Sequence, residues 1–440
     1  MKNQLAKLAS RWRFDDAVMF FCAGALVIAL LGLGLMLALL LQQAKPQWWP
    51  MPIHHWTQAS TQSSILGLAI YRDDSAVLID QGVLSAPETR LVRLDRQNKG
   101  LIRSKPESAV LVQHRTLGRI LGYYENVSKD VLELASNQGA LHYYRLSDIE
   151  YWYLPNQLSN AQQWSMAAEN VWRFLTEGLA PDGEAAGVYP ALIGTVVMVF
   201  LMTVFVMPLG VLAAVYLHEY AGDGHLTRLV RTGVHNLAAI PSVIYGVFGL
   251  GLFVYGVGGE LDQLLYSDAL PAPTFGEPGL LWASVTLALL TLPVVIVATE
   301  EGIARIPRSI MEASYALGAT RAETLLKLVL PLTAPAMMTG LILAIARAAG
   351  EVAPLMLVGV VEYAPTLPVQ SDFPYLALDQ KFMHLGHQIY DLGFQSRDSD
   401  LLQARVYATA VVLFVIVVTL NALAVALRSR LNRRYQNLLR

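Results

Sequence analysis

The chain has 440 residues, 54% of them hydrophobic and 15% charged, with a formal net charge of -2. Soluble domains carry about 25% charged residues, so this deficit, with a positive mean hydropathy of +0.42, points to a bilayer rather than to water. The charge balance gives no reason to expect a nucleic-acid partner. The single cysteine, Cys22, can build neither a disulfide framework nor a cysteine metal site.

An apolar run at 17–41 comes first, preceded by Lys2, Lys7, Arg11 and Arg13. It is about twice the length of a signal-peptide core of roughly 7–15 residues, and no small-x-small cleavage site closes it. It therefore reads as an anchor that stays in the membrane. Five more runs follow at 190–217, 235–257, 280–299, 333–360 and 406–427, each near or above the ~20 apolar residues that a bilayer core requires. The expected framework is an all-α membrane bundle of six transmembrane helices.

Between the first two runs, residues 42–189 are enough for a separate small domain. AVLID (76–80), SAVLVQH (108–114), GRILGYYENV (118–127) and GALHYYRL (139–146) predict strands, so this insertion is expected to be β-rich or α+β. QQWSMAAENVWRFLTEGLA (162–180) has helical apolar spacing and leads back toward the membrane. His54 and His55, close to Trp48, Trp49 and Trp56, suggest a membrane interface, where tryptophan is enriched. No internal repeat is visible.

Lysine and arginine set the orientation. The amino-terminal tail is basic, and so is the carboxy-terminal tail with Arg428, Arg430, Arg433, Arg434 and Arg440. Residues 218–234 carry Arg228 and Arg231, and 300–332 carry Arg305, Arg308, Arg321 and Lys327, whereas 258–279 hold only acidic charges. Short basic loops stay in the cytoplasm, so both termini are expected inside and 42–189 outside. Pro208, Pro241, Pro293, Pro335 and Pro354 interrupt the apolar runs, as kinks beside a pathway or as plain helix irregularity.

Residues 312–331, EASYALGATRAETLLKLVLP, carry a spaced pattern: Glu312-Ala313, then Gly318, then Leu330-Pro331. A short helix to Ala316, a turn at Gly318 that permits positive φ, and a second amphipathic helix over 320–330 would present a small-residue face to a partner. An amphipathic helix lying on lipid headgroups is the competing reading. No glycine-rich turn ending in Gly-Lys-Ser/Thr exists to cradle nucleotide phosphates, so this chain does not hydrolyse ATP, and no cofactor is implied.

In the fifth run Arg347 and Glu351 stand roughly 18–24 Å along the helix, at 1.5 Å per residue, near the middle of the bilayer or slightly beyond. A charge there costs at least a few kcal/mol on insertion scales. The i,i+4 spacing lets the two pair. They either lock the bundle by mutual neutralisation or line a pathway, where a guanidinium offers a planar fork to a tetrahedral oxyanion. Gly340, Ala344, Ala348 and Gly350 would let this helix pack closely. His384 and His387 could share a helix face, but two histidines without a third ligand rarely hold a metal. Glu300 and Glu301 read as a charged helix end.

The 312–331 pattern resembles the permease signature of ABC importers, with Ser314 and Leu328 as mild departures. ARAAGEVAPLMLVG (346–359), MPLGVLAAVYLHEYA (207–221) and AIPSVIYGVFGLG (239–251) are similar to PstA permeases of phosphate importers. In the companion PstC permeases Gly-Glu-Thr-Met is typical, so Pro354 favours PstA. The resemblance covers about 190–427 and leaves 42–189 unexplained. It implies a type I ABC importer permease. The expected divisions are a tail and first helix at 1–41, an extracytoplasmic domain at 42–189, a five-helix core at 190–427 with a coupling loop at 303–331, and a cytoplasmic tail at 428–440. It further implies that Glu312, Ala313, Gly318, Leu330 and Pro331 dock an ATPase, and that Arg347 and Glu351 face the substrate. The implied partners are a PstC-like permease, two copies of a cytoplasmic ATPase, an external phosphate-binding protein and membrane lipid, in a bacterial plasma (inner) membrane. Alternatives from the same residues are a permease for sulfate or molybdate, or a membrane sensor using the external domain.

Overall fold

The computed structural model describes residues 2–58, 64–72, 76–82, 90–95, 101–178, 187–222, 224–269, 271–371, 373, 375–395 and 399–436. Among the described residues six helices are long and apolar enough to cross a membrane: Val18–Trp48, Tyr189–Tyr220, Ser242–Leu265, Leu280–Ala304, Arg321–Ala348 and Leu402–Arg430. The protein is thus a multi-pass helical membrane protein. The first span lies along the sixth, with Ala44 packed near Ala408 and Val412, and leaves Phe20, Phe21, Ile28 and Leu31 exposed. The second, fourth and fifth spans form the core, where Met198, Met202, Leu287, Val295 and Ala344 are buried together with Phe382. Close approach of the fourth and fifth spans depends on glycine. A Cβ at Gly340 would sit 2.9 Å from Ala298 Cβ, and one at Gly302 only 2.4 Å from Ala336 Cβ.

The apolar interior leaves hydroxyls no water, so they turn back on their own helices. Thr291 Oγ1 donates to Leu287 O at 2.8 Å, Thr299 to Val295 O at 2.7 Å and Thr333 to Val329 O at 2.8 Å.

The third and fifth spans differ most from the sequence expectation. The third span begins at Ser242 rather than 235, because Pro241 precedes it in extended geometry and separates it from the amphipathic helix His225–Leu237. The fifth helix starts at Arg321, continues through a π-helical stretch at Leu325–Val329, and ends at Ala348. Pro331 has no N–H for the carbonyl four residues back, and the wider turn just ahead of it accommodates that loss. At the other end Gly350 and Pro354 stop the helix, so 349–360 is a broken segment with only a short helix at Leu355–Val358.

The insertion contains two antiparallel sheets. The strands are β1 His54–Gln58, β2 Ser64–Arg72, β3 Ala76–Asp80, β4 Leu91–Asp95, β5 Leu101–Ser104, β6 Ala109–His114, β7 Gly118–Val127, β8 Val131–Ala135, β9 Leu141–Arg145 and β10 Ile149–Tyr153. Their orders are β4-β3-β2-β1-β5 and β10-β6-β7-β8-β9. Leu66 and Leu68 of one sheet meet Leu111 and Leu121 of the other. The fully buried Asp80 carboxylate ties the sheets, accepting from Gly82 N at 2.8 Å and pairing with Arg90 at 3.2 Å and Arg119 at 3.5 Å. His54 is buried inside β1 beside Arg103. Burial also raises the Tyr151 and Tyr153 phenols above their ordinary pKa.

The helix Asn160–Thr176 opens with a capping box between Ser159 and Gln162 and joins the insertion to the bundle. Asn170 Nδ2 donates to Trp48 O at 2.9 Å, and Val188 N donates to Phe174 O at 2.8 Å. Trp49 meets Trp164 edge-on at 4.8 Å.

Candidate functional site

Two constellations carry chemistry, one at each end of the Arg321–Ala348 helix. At the first end a helix runs from Arg308 to Ala316 after Pro307. Its carbonyls are closed by a tight turn: Leu317 N donates to Ala313 O at 3.2 Å and Gly318 N to Tyr315 O at 2.9 Å. Gly318 takes φ +85°, the left-handed region that glycine adopts without cost. Thr320 then caps the next helix in a box with Glu323, whose Oε1 also meets Lys327 Nζ at 3.2 Å. Ser314 and Thr324 hydroxyls lie 2.9 Å apart and join the two helices. Ser314, a departure from the family pattern, is therefore the loop's internal tie. The loop rests on the bundle through Ile303, Leu325 and Val329, packed with Ile306 and Met311.

Glu312, Ala313 and Gly318 all lie on the exposed surface of this loop, beside an open groove of about 760 Å³. Leu317 projects from the same rim, 89% exposed. Leu330 and Pro331 are not on that surface. They are half-buried within the rising helix, because 320–330 is the first part of the fifth span and not a separate amphipathic helix. Nearby, Arg231 Nε lies 3.5 Å from Glu300 Oε1, linking the His225–Leu237 helix to the fourth span. By sequence Glu300 is a charged helix end with no marked partner. Only the fold could supply its partner.

At the far end, Arg347 occupies the last turn of the helix and Glu351 the turn beyond it. Gly350 N donates to Arg347 O at 3.2 Å, and Glu351 N to Ala348 O at 3.3 Å. Arg347 Nε stands 3.5 Å from Glu351 Oε1, with both side chains half-buried. The two are adjacent because the helix closes there, not because they share a continuous helical face. Counted from Arg321, the pair lies roughly 39 Å along the helix at 1.5 Å per residue, which moves it toward the far end rather than the middle. The broken segment that follows is pressed against neighbours: a Cβ on Gly246 of the third span would sit 2.7 Å from Pro354 Cα. A half-buried guanidinium held by one carboxylate, on a break in a membrane helix, can present hydrogen-bond donors to an anion.

His384 caps the short helix Leu385–Tyr390 by accepting from Gly386 N at 3.1 Å. Burial holds the His384 imidazole down at about 3 and also lowers His387. Among the described residues no group of three or more histidine, cysteine, aspartate or glutamate side chains could hold a metal ion.

The family described as binding-protein-dependent transport system inner membrane component matches residues 206–437. The phosphate transport system permease protein PstA 1 of Mycobacterium tuberculosis (strain CDC 1551 / Oshkosh) is 32% identical over 267 residues, covering 60% of this chain and 77% of that protein. PstA of Mycobacterium leprae (strain TN) is 35% identical over 189 residues, covering 43% of this chain and 56% of that one. The permease protein PstC of Pasteurella multocida (strain Pm70) is 32% identical over 179 residues, covering 39% and 56%. Among solved structures, inward-facing MetNI methionine ABC transporter covers 60% of this chain and 96% of its own at 20% identity and a TM-score of 0.38, a likeness too slight to argue from.

Proposed function

The chain belongs to the family of binding-protein-dependent transport system inner membrane components, and from that premise we propose that it is the PstA-type permease subunit of an ATP-driven importer of inorganic phosphate. The observation that carries this reading is identity with a PstA permease sustained over 77% of that relative's length. A subunit of this kind is a transporter component and not an enzyme. Its family works with an ATPase and a substrate-binding protein. The finer assembly we infer is one PstC-like permease, two copies of a cytoplasmic ATPase and an external phosphate-binding protein, in a bacterial plasma (inner) membrane. Both termini and the 303–331 loop then face the cytoplasm, and the two-sheet insertion faces outward. The excess of lysine and arginine in the short connections supports that orientation.

The geometry suggests how force travels. The exposed face at Glu312, Ala313 and Gly318 seats on the ATPase, and the Ser314–Thr324 tie binds the docked helix to the base of the fifth span. From there the helix, through its π-helical stretch at Leu325–Val329, runs on to Arg347, so displacement of the loop is passed along the fifth span to the Arg347–Glu351 end. Arg347 offers its fork to the oxyanion. Glu351 holds Arg347 in place and can accept the proton that phosphate, unlike sulfate, carries at neutral pH.

The test is ATP-dependent uptake of labelled phosphate and sulfate by proteoliposomes that hold the assembled complex, comparing wild type with Arg347→Gln. Phosphate uptake falling at least tenfold, with assembly and basal ATPase binding intact, supports the pathway role. Normal uptake in the variant reduces Arg347 to a structural partner of Glu351, and a wild type that moves sulfate in preference overturns the substrate.

A further inference from the structure

A cavity of about 120 Å³ lies where the insertion meets the bundle, with neither Arg347 nor Glu351 in its lining. It is walled by the end of the first span, both sheets, the Asn160–Thr176 helix and the start of the sixth span. Three of its polar residues are cross-strand neighbours in one row. Gln113 of β6 is opposite Arg119 of β7 on one side and Tyr151 of β10 on the other. Directly opposed residues project from the same face of a sheet, so all three point into one space. Tyr153 follows two residues on, on that same face. From the helix side Arg173 lies over the Tyr151 ring at 4.4 Å, and Glu177 completes the lining.

The chemistry of this set is uneven. Its polar side chains include two guanidinium groups, the carboxamides of Gln47, Gln113 and Asn170, two phenols and one carboxyl group, with Arg119 also paired to Asp80 and Arg173 to Glu169. Gln113 is 2% exposed, and its Nε2 has no hydrogen-bond partner. A buried amide N–H without an acceptor costs about 1–3 kcal/mol, and buried polar groups are seldom left so. The missing acceptor belongs in the cavity. Its volume is that of roughly four waters at ~30 Å³ each, the scale of one tetrahedral oxyanion. Burial raises the Glu177 carboxyl above its ordinary pKa, which suits a group that shares a proton with its ligand rather than repelling it.

We propose that this junction cavity is a second oxyanion site, taking a phosphate group that is held by Arg119, Arg173 and Gln113 Nε2 and whose proton is accepted by Glu177. The site shares no residue with Arg347 and Glu351, so it stands or falls independently of the transport pathway. The phosphate group could arrive as the free ion or as a lipid headgroup, since the cavity opens beside the end of the first span.

The experiment uses the full chain in phospholipid-free detergent and reads thermal unfolding together with equilibrium binding. The probes are inorganic phosphate, sulfate and short-chain phosphatidic acid, and the variants are Gln113→Leu, Arg173→Gln and Arg347→Gln. We expect Arg347→Gln, which removes the pathway site, to retain phosphate-group binding by the cavity, and that binding to fall at least tenfold when Gln113→Leu or Arg173→Gln is added. Without ligand, Gln113→Leu should unfold at the wild-type temperature or higher, because it removes an unpaired amide. Binding of inorganic phosphate alone makes the occupant the free ion, and competition by phosphatidic acid makes it a headgroup. Sulfate binding as well as phosphate overturns the assignment. So does Arg347→Gln binding equally well with and without Gln113→Leu, or loss of binding in Arg347→Gln alone, which would leave the transport reading untouched.

Discussion

Substituting Gly318 by alanine isolates one physical term. At φ +85° the backbone is left-handed, and no atom stands within 4 Å of the position that a Cβ would occupy. Sterics with neighbours therefore contribute nothing, and the cost is the conformational penalty of an L-residue, about 1–2 kcal/mol. At tenfold per 1.4 kcal/mol, that is a roughly 5- to 30-fold smaller population of the closed turn. The six-span core is remote from this turn, so its melting should hardly move. The assay is titration of the purified membrane subunits with their ATPase partner, followed by ATP-driven uptake in liposomes. Apparent ATPase affinity should fall in the order Gly318, Gly318→Asn, Gly318→Ala, Gly318→Val, because asparagine tolerates the left-handed region and β-branched residues do not. Alanine docking within twofold of wild type, or asparagine as poor as valine, would show that the turn does not govern docking.

Three further outcomes follow from particular contacts. Asp262, 2% exposed, accepts from Thr274 N, Phe275 N and Gly276 N at 2.7–2.9 Å, so Asp262→Ala strands three donors. It should destabilise the bundle by roughly 3 kcal/mol or more in thermal unfolding, with Asp262→Asn between; a loss below about 1 kcal/mol would mean that water replaces the carboxylate. Ser314→Ala and Thr324→Val remove the same hydroxyl contact, so the double variant should be no worse than the poorer single one, and additive losses in a double-mutant cycle would refute the tie. His384 is held down at about 3 against an ordinary 6.5, so below about pH 6.5 the unfolded chain binds a proton that the folded chain refuses. Stability is full above that pH and declines as pH falls toward 3, by up to about 1.4 kcal/mol per unit. His384→Gln should flatten this slope in acid-unfolding curves, and an unchanged slope would assign it to other groups.

The sequence made the spans legible because apolar length is a property of composition, which needs no partner. It was also a good guide to β3, β6, β7 and β9, whose alternation or apolar density is strong. The other six strands are not marked by the sequence reading; among them β1, β4 and β5, HHWTQ, LVRLD and LIRS, are short and half polar, and only pairing across the sheet makes them strands. Where the fifth helix ends depends on Gly350 and Pro354 acting together against an apolar background that hydropathy reads as continuous. Glu312, Ala313 and Gly318 could be found by spacing alone. The junction cavity could not, since Gln113, Arg119, Tyr151 and Arg173 come from four elements, and nothing in their local sequence marks them as neighbours.

The seam between insertion and bundle bears on how such a chain could have arisen. Trp48 and Val188, where the chain departs from the first span and rejoins at the second, are bonded to Asn170 and Phe174, residues one helical turn apart. Departure and return therefore share a narrow doorstep. An ancestral permease with a short connection at this place could gain or shed the whole two-sheet module without changing the length or facing of any span, as grafts tolerate best when their ends lie close together. That makes the insertion a portable part whose history need not be that of the transporter carrying it.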